Sequence, residues 1–409
     1  MTLKKIRSIV FILTLIILAA GAGFWFGQRE VSVSWRNFKP QVVITNKQAP
    51  ATIEVDFSLF WDVWQRVSRD YIDKTKLEPQ KMVWGAIAGM VQSLGDPYTV
   101  FLSPKENQEV KDDLGGVFEG IGAQLGMKDK KIVVIAPLEG MPAEKAGIKA
   151  GDFILKVDTE ETTGWTLPEA VAKIRGPRGS KVVLTVLHQN QEQPVEITII
   201  REEIKVPSVE VEMEENGQVV HLKLMRFGDQ TSEEWEAAVN EINQITKQPN
   251  NQTTKGVILD LRNNPGGYLQ GAVFIVSEFL ENGPVVIQEN AQGQRQTFDV
   301  NRRGQLTEVP LVVLINQGSA SASEIVAGVL QERGRAKIVG EKSFGKGSIQ
   351  EAEDLSQGAG LHITTSKWLL PSGKWINGQG IEPGVKIEDD QETEKDEQLE
   401  KAIEVLCSE

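Results

Sequence analysis

Apolar residues recur at helical spacing along residues 57–94. A repeat of three to four residues is typical of one face of an amphipathic helix. The positions that carry it are Phe57, Phe60, Trp61, Trp64, Val67, Met82, Ile87, Met90 and Val91. The pattern stops at Asp96, Pro97 and Tyr98, so we predict a helical region before that point, with its Trp and Met stripe on a packed face.

Short apolar runs separated by glycines and polar turns follow in residues 115–203, and they predict a small, strand-rich domain. The predicted strands are Lys131–Ile135, Phe153–Val157, Lys181–Leu187 and Val195–Ile200. Two short helices fit between them, Ala143–Ala146 ended by Gly147 and Leu167–Ile174 capped by Thr166.

Strands and helices alternate over residues 218–390. The predicted strands are Val219–Leu224, Gly256–Leu261, Pro284–Gln288, Leu311–Ile315, Lys337–Val339 and Gly360–Ser366. The predicted helices are Ser232–Gln244, Leu269–Phe279 and Ser321–Gln331. Strands that are separated by helices indicate βαβ crossovers, so we predict an α/β domain whose sheet is at least partly parallel.

The two ends of the chain have biased compositions. Lys4, Lys5 and Arg7 precede an uncharged stretch, residues 8–28, which predicts either an uncleaved membrane anchor or a cleaved export signal; a buried helix is the third reading. Residues 29–54 are predicted to be a linker or a β-rich arm. The last 24 residues, Lys386–Glu409, carry ten acidic and three basic residues, which favours a solvated tail or a surface helix.

Composition and charge narrow the class of function. The 409 residues carry a formal charge of −13, which argues against a nucleic-acid partner because phosphate neutralisation needs a basic surface. The single cysteine, Cys407, excludes an intramolecular disulfide and a cysteine-based zinc site. Three scattered histidines are poor material for a metal site, so we expect no metal.

A candidate nucleophile lies where the predicted strand Leu311–Ile315 runs into a turn of small residues and then a helix. Ser321 lies near the start of that helix, where free amides and the helix dipole favour a developing oxyanion. Serine is also an ordinary helix cap, so this segment alone leaves both readings open.

A serine nucleophile needs a base, and none of the three histidines lies in a suggestive context. His188, His221 and His362 are each interpreted as structural or surface residues. Lysine can take this role when burial lowers its pKa. Lys346, flanked by Gly345 and Gly347, is the best candidate, and Gln350 is placed to hold its amine.

Two neighbouring segments bear on this choice. Residues 340–346 fit G-x-x-x-x-G-K, but Gly347 stands where a P-loop requires Ser or Thr, which argues against nucleotide binding. The run Asn263-Asn264-Pro265-Gly266-Gly267 follows a strand and precedes a helix. Its glycines expose amides that can hold an oxyanion, although an ordinary βα turn explains the same residues.

Together these segments resemble the C-terminal processing (tail-specific) peptidases, which are Ser-Lys proteases with a PDZ domain. The resemblance covers roughly residues 55–390. The matching segments are Leu94–Thr99, Leu259–Gly267, Ser319–Glu324 (SASASE), Phe344–Gln350 (FGKGSIQ), Pro371–Gly373 and Ile376–Ile381. Gly384 follows Pro383 where relatives often have Asp, outside these catalytic segments.

The resemblance implies a role for each candidate, and it implies no metal and no organic cofactor. Ser321 becomes the nucleophile, Lys346 the general base and Gln350 its orienting partner. The amides of Ala322 and of Gly266 or Gly267 become the oxyanion donors. The small domain becomes a PDZ domain whose loop Gly120, Ile121, Gly122 and Ala123 receives a substrate's terminal carboxylate, and Arg175 links that domain to the active site.

The resemblance also implies the architecture: a multi-domain α/β protein with a ClpP/crotonase-like catalytic core, an inserted PDZ domain and an N-terminal helical segment. We predict the following divisions: 1–28 signal anchor or signal peptide, 29–54 linker, 55–114 helical region, 115–203 PDZ domain, 204–390 peptidase core and 391–409 acidic tail. We expect a single-pass membrane protein with its catalytic part outside the cytoplasm, protein C-terminal tails as substrates, and a possible homodimer. A non-catalytic PDZ scaffold is the competing hypothesis.

Overall fold

The structure is a computed structural model that describes residues 31–36, 39–44, 56–128, 130–138, 140–189, 191, 193–246, 254–388 and 395–408. The chain divides into two compact units, residues 1–79 and 80–409. The predicted anchor or signal at residues 1–28 lies outside the described residues. Among those that are described, no helix combines the length and the apolar composition that a membrane crossing needs.

The strands are β1 Val31–Arg36, β2 Lys39–Ile44, β3 Val100–Leu102, β4 Val117–Gly120, β5 Ala123–Lys128, β6 Lys131–Pro137, β7 Phe153–Val157, β8 Glu160–Glu161, β9 Lys181–Leu187, β10 Val195–Ile200, β11 Glu202–Lys205, β12 Val209–Glu214, β13 Val219–Leu224, β14 Gly256–Asp260, β15 Pro284–Asn290, β16 Arg295–Asp299, β17 Leu311–Ile315, β18 Lys337–Gly340, β19 Ser348–Asp354, β20 Gly360–Leu369 and β21 Val385–Lys386. The α-helices are α1 Ser58–Asp70, α2 Pro79–Gln92, α3 Pro104–Gly115, α4 Pro142–Lys145, α5 Leu167–Ile174, α6 Thr231–Thr246, α7 Leu269–Phe279, α8 Ala322–Glu332 and α9 Glu397–Cys407.

The first unit contains an antiparallel hairpin, β1 with β2, and the helix α1. The hairpin agrees with the β-rich reading of residues 29–54. The predicted packed face of α1 is wrong, because no residue of this helix is buried and Trp61 is 55% exposed. Its aromatic rings pack on one another instead, with the centroids of Phe60 and Trp61 5.0 Å apart.

The small domain of the second unit is a sheet of order β10-β9-β7-β6-β5, with β8 paired to β7. The predicted strands β7, β9 and β10 and the helix α5 have the predicted bounds. Thr166 caps α5 by accepting a hydrogen bond from Glu169, as predicted. Apolar side chains from alternate strand positions, such as Ile132, Val134 and Ile154, form the core of this domain.

The larger sheet has the order β12-β13-β14-β17-β18-β21. From β13 to β21 every pairing is parallel, and only the edge strand β12 is antiparallel. Both faces are covered at the centre of the sheet, where every residue of β14 and β17 is buried, which explains the apolar runs that predicted these two strands. The predicted α/β core with parallel crossovers is therefore confirmed.

A second sheet has the strand order β16-β15-β20-β19, and β3 pairs with β20. Its strand β19 follows the Lys346 loop directly and was not predicted. The second half of β19 is acidic apart from Ala352, with Glu351, Glu353 and Asp354, and gives no apolar face that a sequence pattern would reveal. β19 pairs with β20 in an antiparallel register that places Gln350 opposite Thr364.

The acidic C-terminal segment forms the helix α9, so of its two readings the solvated tail is wrong where the structure describes it. Leu399, Ala402, Ile403 and Leu406 recur at helical spacing and face the larger sheet. They pack with sheet residues that include Val219, Ile258 and Val312. The acidic residues of α9 occupy the opposite face, so high charge and burial coexist in one helix.

Candidate active site

The Ser321 turn joins β17 to α8. Ser321 has φ 55° and ψ −113°, a left-handed backbone that a non-glycine residue adopts only when the surroundings impose it. The Oγ atoms of Ser319 and Ser323 impose it by donating to the carbonyls of Leu261 and Asn264 at 2.8 and 2.9 Å. The strained turn is therefore fixed against the segment that follows β14 and presents Ser321 at the start of the helix.

Lys346 lies on the loop between β18 and β19. Its carbonyl accepts a 2.9 Å hydrogen bond from Trp368 Nε1, and its Nζ lies 4.9 Å from the centre of the Tyr98 ring. Burial lowers the pKa of the Lys346 ammonium, and the nearby charges of Asp96 and Glu324 oppose that shift without cancelling it. A partly desolvated lysine of this kind can serve as a base near neutral pH.

Glu324 connects the serine turn to the lysine loop, a role that no pattern in the sequence indicated. Its fully buried carboxylate accepts hydrogen bonds from the backbone N–H groups of Ser321 and Lys346, both on Oε2 and both at 2.8 Å. Oε1 accepts from Gly345 N and Ser343 Oγ, each at 2.6 Å. A single side chain thus fixes the backbones of both candidate catalytic residues relative to each other.

Gln350 lies at the start of β19, but it is not bonded to the Lys346 amine. Its Nε2 donates to Ser348 Oγ at 2.9 Å and to Thr364 Oγ1 at 3.1 Å. These two bonds leave its carbonyl oxygen available as an acceptor. The predicted orienting contact therefore remains a prediction, and the structure shows the Lys346 amine over Tyr98 instead.

The glycine turn after β14 lies directly against Ser321. A Cβ on Gly266 would come within 2.8 Å of Ser321 Cβ, so only glycine allows this approach. The N–H of Gly266 donates to Asn264 Oδ1 at 2.9 Å and is already committed. Gly267 is exposed, with φ 139°, and its N–H donates to no described residue. Of the two predicted glycine donors, the geometry favours Gly267.

The segment Leu94–Thr99 also reaches the site, which the sequence alone had placed only as a motif before the small domain. Asp96 accepts hydrogen bonds from Thr99 Oγ1 at 2.6 Å and from Tyr98 N at 3.0 Å. Burial alone raises the pKa of the Asp96 carboxyl, but hydrogen bonds from Thr364 and Thr99 outweigh it, so the pKa lies below its usual range. An ionised Asp96 therefore stands near Lys346.

Ser321, Lys346, Gln350 and the glycine turn line one cleft of about 430 Å³. Its lining combines the side chains of Ser321, Lys346 and Gln350 with the backbone of Gly266, Gly267 and Ala322, and its apolar side chains include Leu114, Leu269, Ile325, Ile349 and Trp368. A larger cavity of about 960 Å³, near Arg302 and Val309, contains none of the candidate catalytic residues.

The three histidines divide between two environments. His188 and His221 each pair with a buried aspartate, Asp152 at 2.8 Å and Asp260 at 3.0 Å, as expected for structural residues. His362 lies on β20 and lines the catalytic cleft, and its interpretation as a structural or surface residue stays a prediction. Burial, followed by the charge of Lys346, lowers the pKa of His362.

The predicted peptide-binding loop lies between β4 and β5. The carbonyls of Ile121 and Gly122 accept hydrogen bonds from Ala143 and Leu138, at 2.8 and 2.9 Å. β5 is an edge strand of its sheet among the described residues, so its outer side offers backbone groups to an added strand.

Arg175, at the end of α5, lies near this loop. Its guanidinium lies 4.6 Å from the centre of the Phe118 ring on β4, and its Nη1 lies 3.9 Å from Asp113 Oδ1 on α3. Asp113 lines the catalytic cleft. Arg175 therefore touches both the small domain and a helix of the active site.

Three family models match the chain. The model described as Peptidase family S41 matches residues 218–387, and that for a PDZ domain matches residues 133–188. The third, described as the activating protease CtpB N-terminal domain, matches residues 17–106. The three matches follow the chain in the order of the predicted helical region, PDZ domain and catalytic core.

Similar proteins give the same assignment. The carboxy-terminal-processing protease of Bartonella bacilliformis is 40% identical over 334 residues, which cover 80% of this chain and 74% of that protein. Carboxy-terminal processing protease CtpB of Bacillus subtilis is 34% identical over 378 residues, 91% of this chain and 75% of that protein. A Bacteroides fragilis structure assigned to the S41 proteases shares the fold, with a TM-score of 0.53, 16% identity and coverage of 87% of this chain and 99% of that chain. The chain therefore belongs to peptidase family S41, as a serine-type peptidase that carries a PDZ domain.

Proposed function

We propose that the chain is a Ser-Lys endopeptidase that cleaves proteins in their C-terminal regions. Neutral Lys346 accepts the proton of Ser321 Oγ, and the alkoxide attacks the scissile carbonyl. The N–H groups of Ala322 and Gly267 hold the oxyanion. Lys346 then protonates the leaving amine and later takes a proton from the water that hydrolyses the acyl-enzyme. The observation that carries this proposal is the strained Ser321 in the same cleft as a lysine of lowered pKa.

Lys346 must change partners for this chemistry. Its amine lies over Tyr98, where the ring face stabilises the charged form. For proton transfer the Lys346 amine turns towards Ser321, and the free carbonyl oxygen of Gln350 accepts a hydrogen bond from one N–H group of this amine. Gln350 then orients the lone pair, which is the role that the sequence predicted for it.

The apolar lining of the cleft gives its side-chain preference. Leu269, Ile325 and Ile349 surround the space beside Ser321, so we propose that the residue before the scissile bond is apolar. Peptides that differ only in alanine, valine or aspartate at that position test this. We expect kcat/KM for aspartate to be at least ~10-fold lower, since its charge would be buried without a partner.

The PDZ domain provides the recognition of the tail. We propose that the amides of Gly120, Ile121, Gly122 and Ala123 receive the terminal carboxylate and that the substrate pairs as a strand with the open edge of β5. Arg175 transmits the position of this domain to α3 through Asp113. The proposed bounds of the domains are those predicted from the sequence, 115–203 for the PDZ domain and 204–390 for the peptidase core.

The proposed location rests on the N-terminal sequence. Three basic residues, Lys4, Lys5 and Arg7, before the uncharged residues 8–28 favour an anchor whose basic end stays in the cytoplasm. The catalytic part then acts outside the cytoplasm. Exposed apolar side chains on α1, including Leu59 and Trp61, favour a homodimer through the N-terminal region. Recovery of intact Met1 from washed membranes would support the anchor over a cleaved signal.

The test of the mechanism is cleavage of an unstructured protein that has an apolar C-terminus. We expect cleavage by the native chain and by the control Lys342→Ala, whose exposed lysine lies on the same loop, but none by Ser321→Ala or Lys346→Ala. Amidating the substrate's C-terminus should raise KM if the PDZ loop binds the carboxylate. Equal cleavage by all variants would refute the mechanism, and tail binding without any cleavage would favour the scaffold.

A further inference from the structure

A second cluster of chemically reactive side chains lies on the larger sheet, outside the catalytic cleft. Glu212 and Glu214 lie on the edge strand β12, and His221 lies on β13 directly opposite Glu212. Because side chains alternate along a strand, the three project from the same face of the sheet. Their ligand atoms all lie within 4.8 Å of one another.

His221 has one nitrogen in use and one without a partner. Its side chain is 2% exposed, and Nε2 lies 3.0 Å from Asp260 Oδ2. Nδ1 is buried and makes no hydrogen bond to any described residue. It lies 3.8 Å from Glu212 Oε2 and 3.7 Å from Glu214 Oε1, too far for a hydrogen bond. A buried ring nitrogen that faces two carboxylates without bonding to either calls for a third group between them.

The spacing suits a metal ion. Zinc binds histidine nitrogen and carboxylate oxygen at roughly 2.0–2.2 Å in a tetrahedral arrangement, so two ligand atoms are about 3.4 Å apart. The two distances from Nδ1 exceed this by only a few tenths of an ångström. The Asp260 carboxylate accepts from Nε2–H, the usual support for a metal-binding histidine, which leaves the Nδ1 lone pair directed at the glutamates.

We propose that Glu212, Glu214 and His221 bind a divalent transition cation of the zinc class. His221 Nδ1 and one oxygen of each glutamate are the three protein ligands, and water completes the tetrahedron. Lys223 Nζ, now 2.8 Å from Glu212 Oε2, gives up that contact when the ion binds. This site departs from the expectation of no metal, which rested on the number of histidines. The pairing of β12 with β13, which brings two glutamates next to His221, is not visible in the sequence.

The site has a structural role. β12 is the edge strand that follows the PDZ domain, and among the described strands it is held to the sheet only by its pairing with β13. Ligands from both strands would fasten this edge beside the segment that leaves the PDZ domain. The role is independent of the Ser-Lys chemistry, so it can be tested in an inactive protein.

The experiment uses the full chain carrying Ser321→Ala, stripped with a chelator and titrated with Zn²⁺ by calorimetry and with Co²⁺ by visible absorption. We expect one site, a tetrahedral Co²⁺ spectrum and a Tm that rises with Zn²⁺. Glu212→Gln and Glu214→Gln, both at side chains that are partly exposed and therefore compatible with folding, should each weaken binding at least ~10-fold. His221→Gln should abolish it.

Two matched controls separate this site from others. Glu210→Gln removes an exposed carboxylate on the same face of β12, and Cys407→Ser removes the only thiol. Both should bind Zn²⁺ as the parent does. Absence of Zn²⁺ and Co²⁺ binding, or binding that survives Glu212→Gln and Glu214→Gln combined, would overturn the proposal.

Discussion

The catalytic core and the PDZ domain both place backbone amides at a turn next to a strand, but the two strands differ in whether one or both of their sides are paired. In the core, the turns at Ser321 and Gly267 follow strands that are paired on both sides. In the PDZ domain, the loop at Ile121 leads into β5, whose outer side is unpaired among the described strands. The strands before the catalytic turns are therefore enclosed within their sheet, whereas the strand after the PDZ loop is open on one side in the described part of the chain.

The difference matches what each turn has to do. A transition state has one geometry, and the core fixes it with the buried Glu324, whose carboxylate accepts four hydrogen bonds. A peptide tail must enter and leave, and an unpaired edge strand accepts it by hydrogen bonds that do not depend on its sequence. Substitutions in the core should therefore act on kcat, and substitutions in the PDZ loop should act on KM.

The largest effect is expected for Lys346→Arg. Arginine keeps the positive charge over Tyr98 but does not deprotonate in proteins, so it cannot act as the base. We expect kcat to fall at least ~10⁴-fold, as it does when one member of a catalytic group that acts together is removed. Steady-state hydrolysis of a quenched peptide measures this, with Lys342→Arg as the control. A loss below tenfold would identify another base.

The native pH profile gives an independent check on Lys346. Because burial lowers its pKa, the neutral amine should become populated below pH 10.5, the ordinary lysine value. Activity should therefore rise with pH and level off once the lowered pKa is passed. A profile that stays flat between pH 6 and 10 would contradict a titrating lysine base.

The second effect is expected for Glu324→Gln. An amide cannot accept from all four donors, so the serine turn and the lysine loop should lose their shared register. We expect kcat to fall about 10²-fold, the size of a lost positioning contact, with KM for the tail unchanged. Glu332→Gln, at the far end of α8, is the matched control.

Glu324→Gln also has a signature in the pH profile. The negative charge of Glu324 raises the pKa of Lys346, so its removal should lower that pKa further. The acid limb of the profile should then move to lower pH. A fall in kcat without this movement would mean that Glu324 acts only by stabilising the fold.

The sequence predicted the fold best where burial is complete on both faces. The strand Leu311–Ile315 has the predicted bounds because all of its residues are apolar and buried on both faces. The prediction failed at β12 and β19, whose alternating glutamates lie on sheet edges or partly exposed faces. The charged side chains at those positions face solvent, so the sequence lacks the apolar pattern from which a strand is predicted. The strand forms because its backbone pairs with a neighbouring strand.

The candidate site was predictable to the extent that local turn chemistry defines it. Ser321 and Lys346 follow from a strand–turn–helix of small residues and from the lack of a better base. The four bonds to Glu324 and the Tyr98 ring under Lys346 did not follow. They join segments that are far apart in the chain, and no spacing along the sequence encodes such contacts.

The third effect contrasts two glycines of the PDZ domain, Gly122 and Gly140. Both have a left-handed φ, +70° and +69°, so alanine strains both backbones similarly. At Gly122 the new Cβ would lie 2.4 Å from Met141 Cβ, whereas at Gly140 no atom lies within 4 Å. We expect Gly122→Ala to raise KM about 10-fold, or ~1.4 kcal/mol, with little change in kcat.

Fluorescence anisotropy of a labelled tail peptide, with Ser321→Ala as background, measures the same step directly. Gly140→Ala should bind the peptide as the parent does, apart from any loss of stability. Equal weakening by both substitutions would attribute the effect to backbone strain, and an unchanged affinity for Gly122→Ala would place the carboxylate site elsewhere.

The smallest effect tests whether the two regions communicate through Arg175. Its stacking on Phe118 and its 3.9 Å approach to Asp113 are partly exposed contacts, together worth about 1 kcal/mol. Arg175→Met keeps the apolar stem, so we expect kcat to change about fivefold while the affinity for the tail peptide stays the same. Arg178→Met, at an exposed position in the next turn, should change neither quantity. If Arg175→Met altered peptide affinity but not kcat, Arg175 would act in peptide binding by the PDZ loop. The Ser321 turn would then function independently of Arg175.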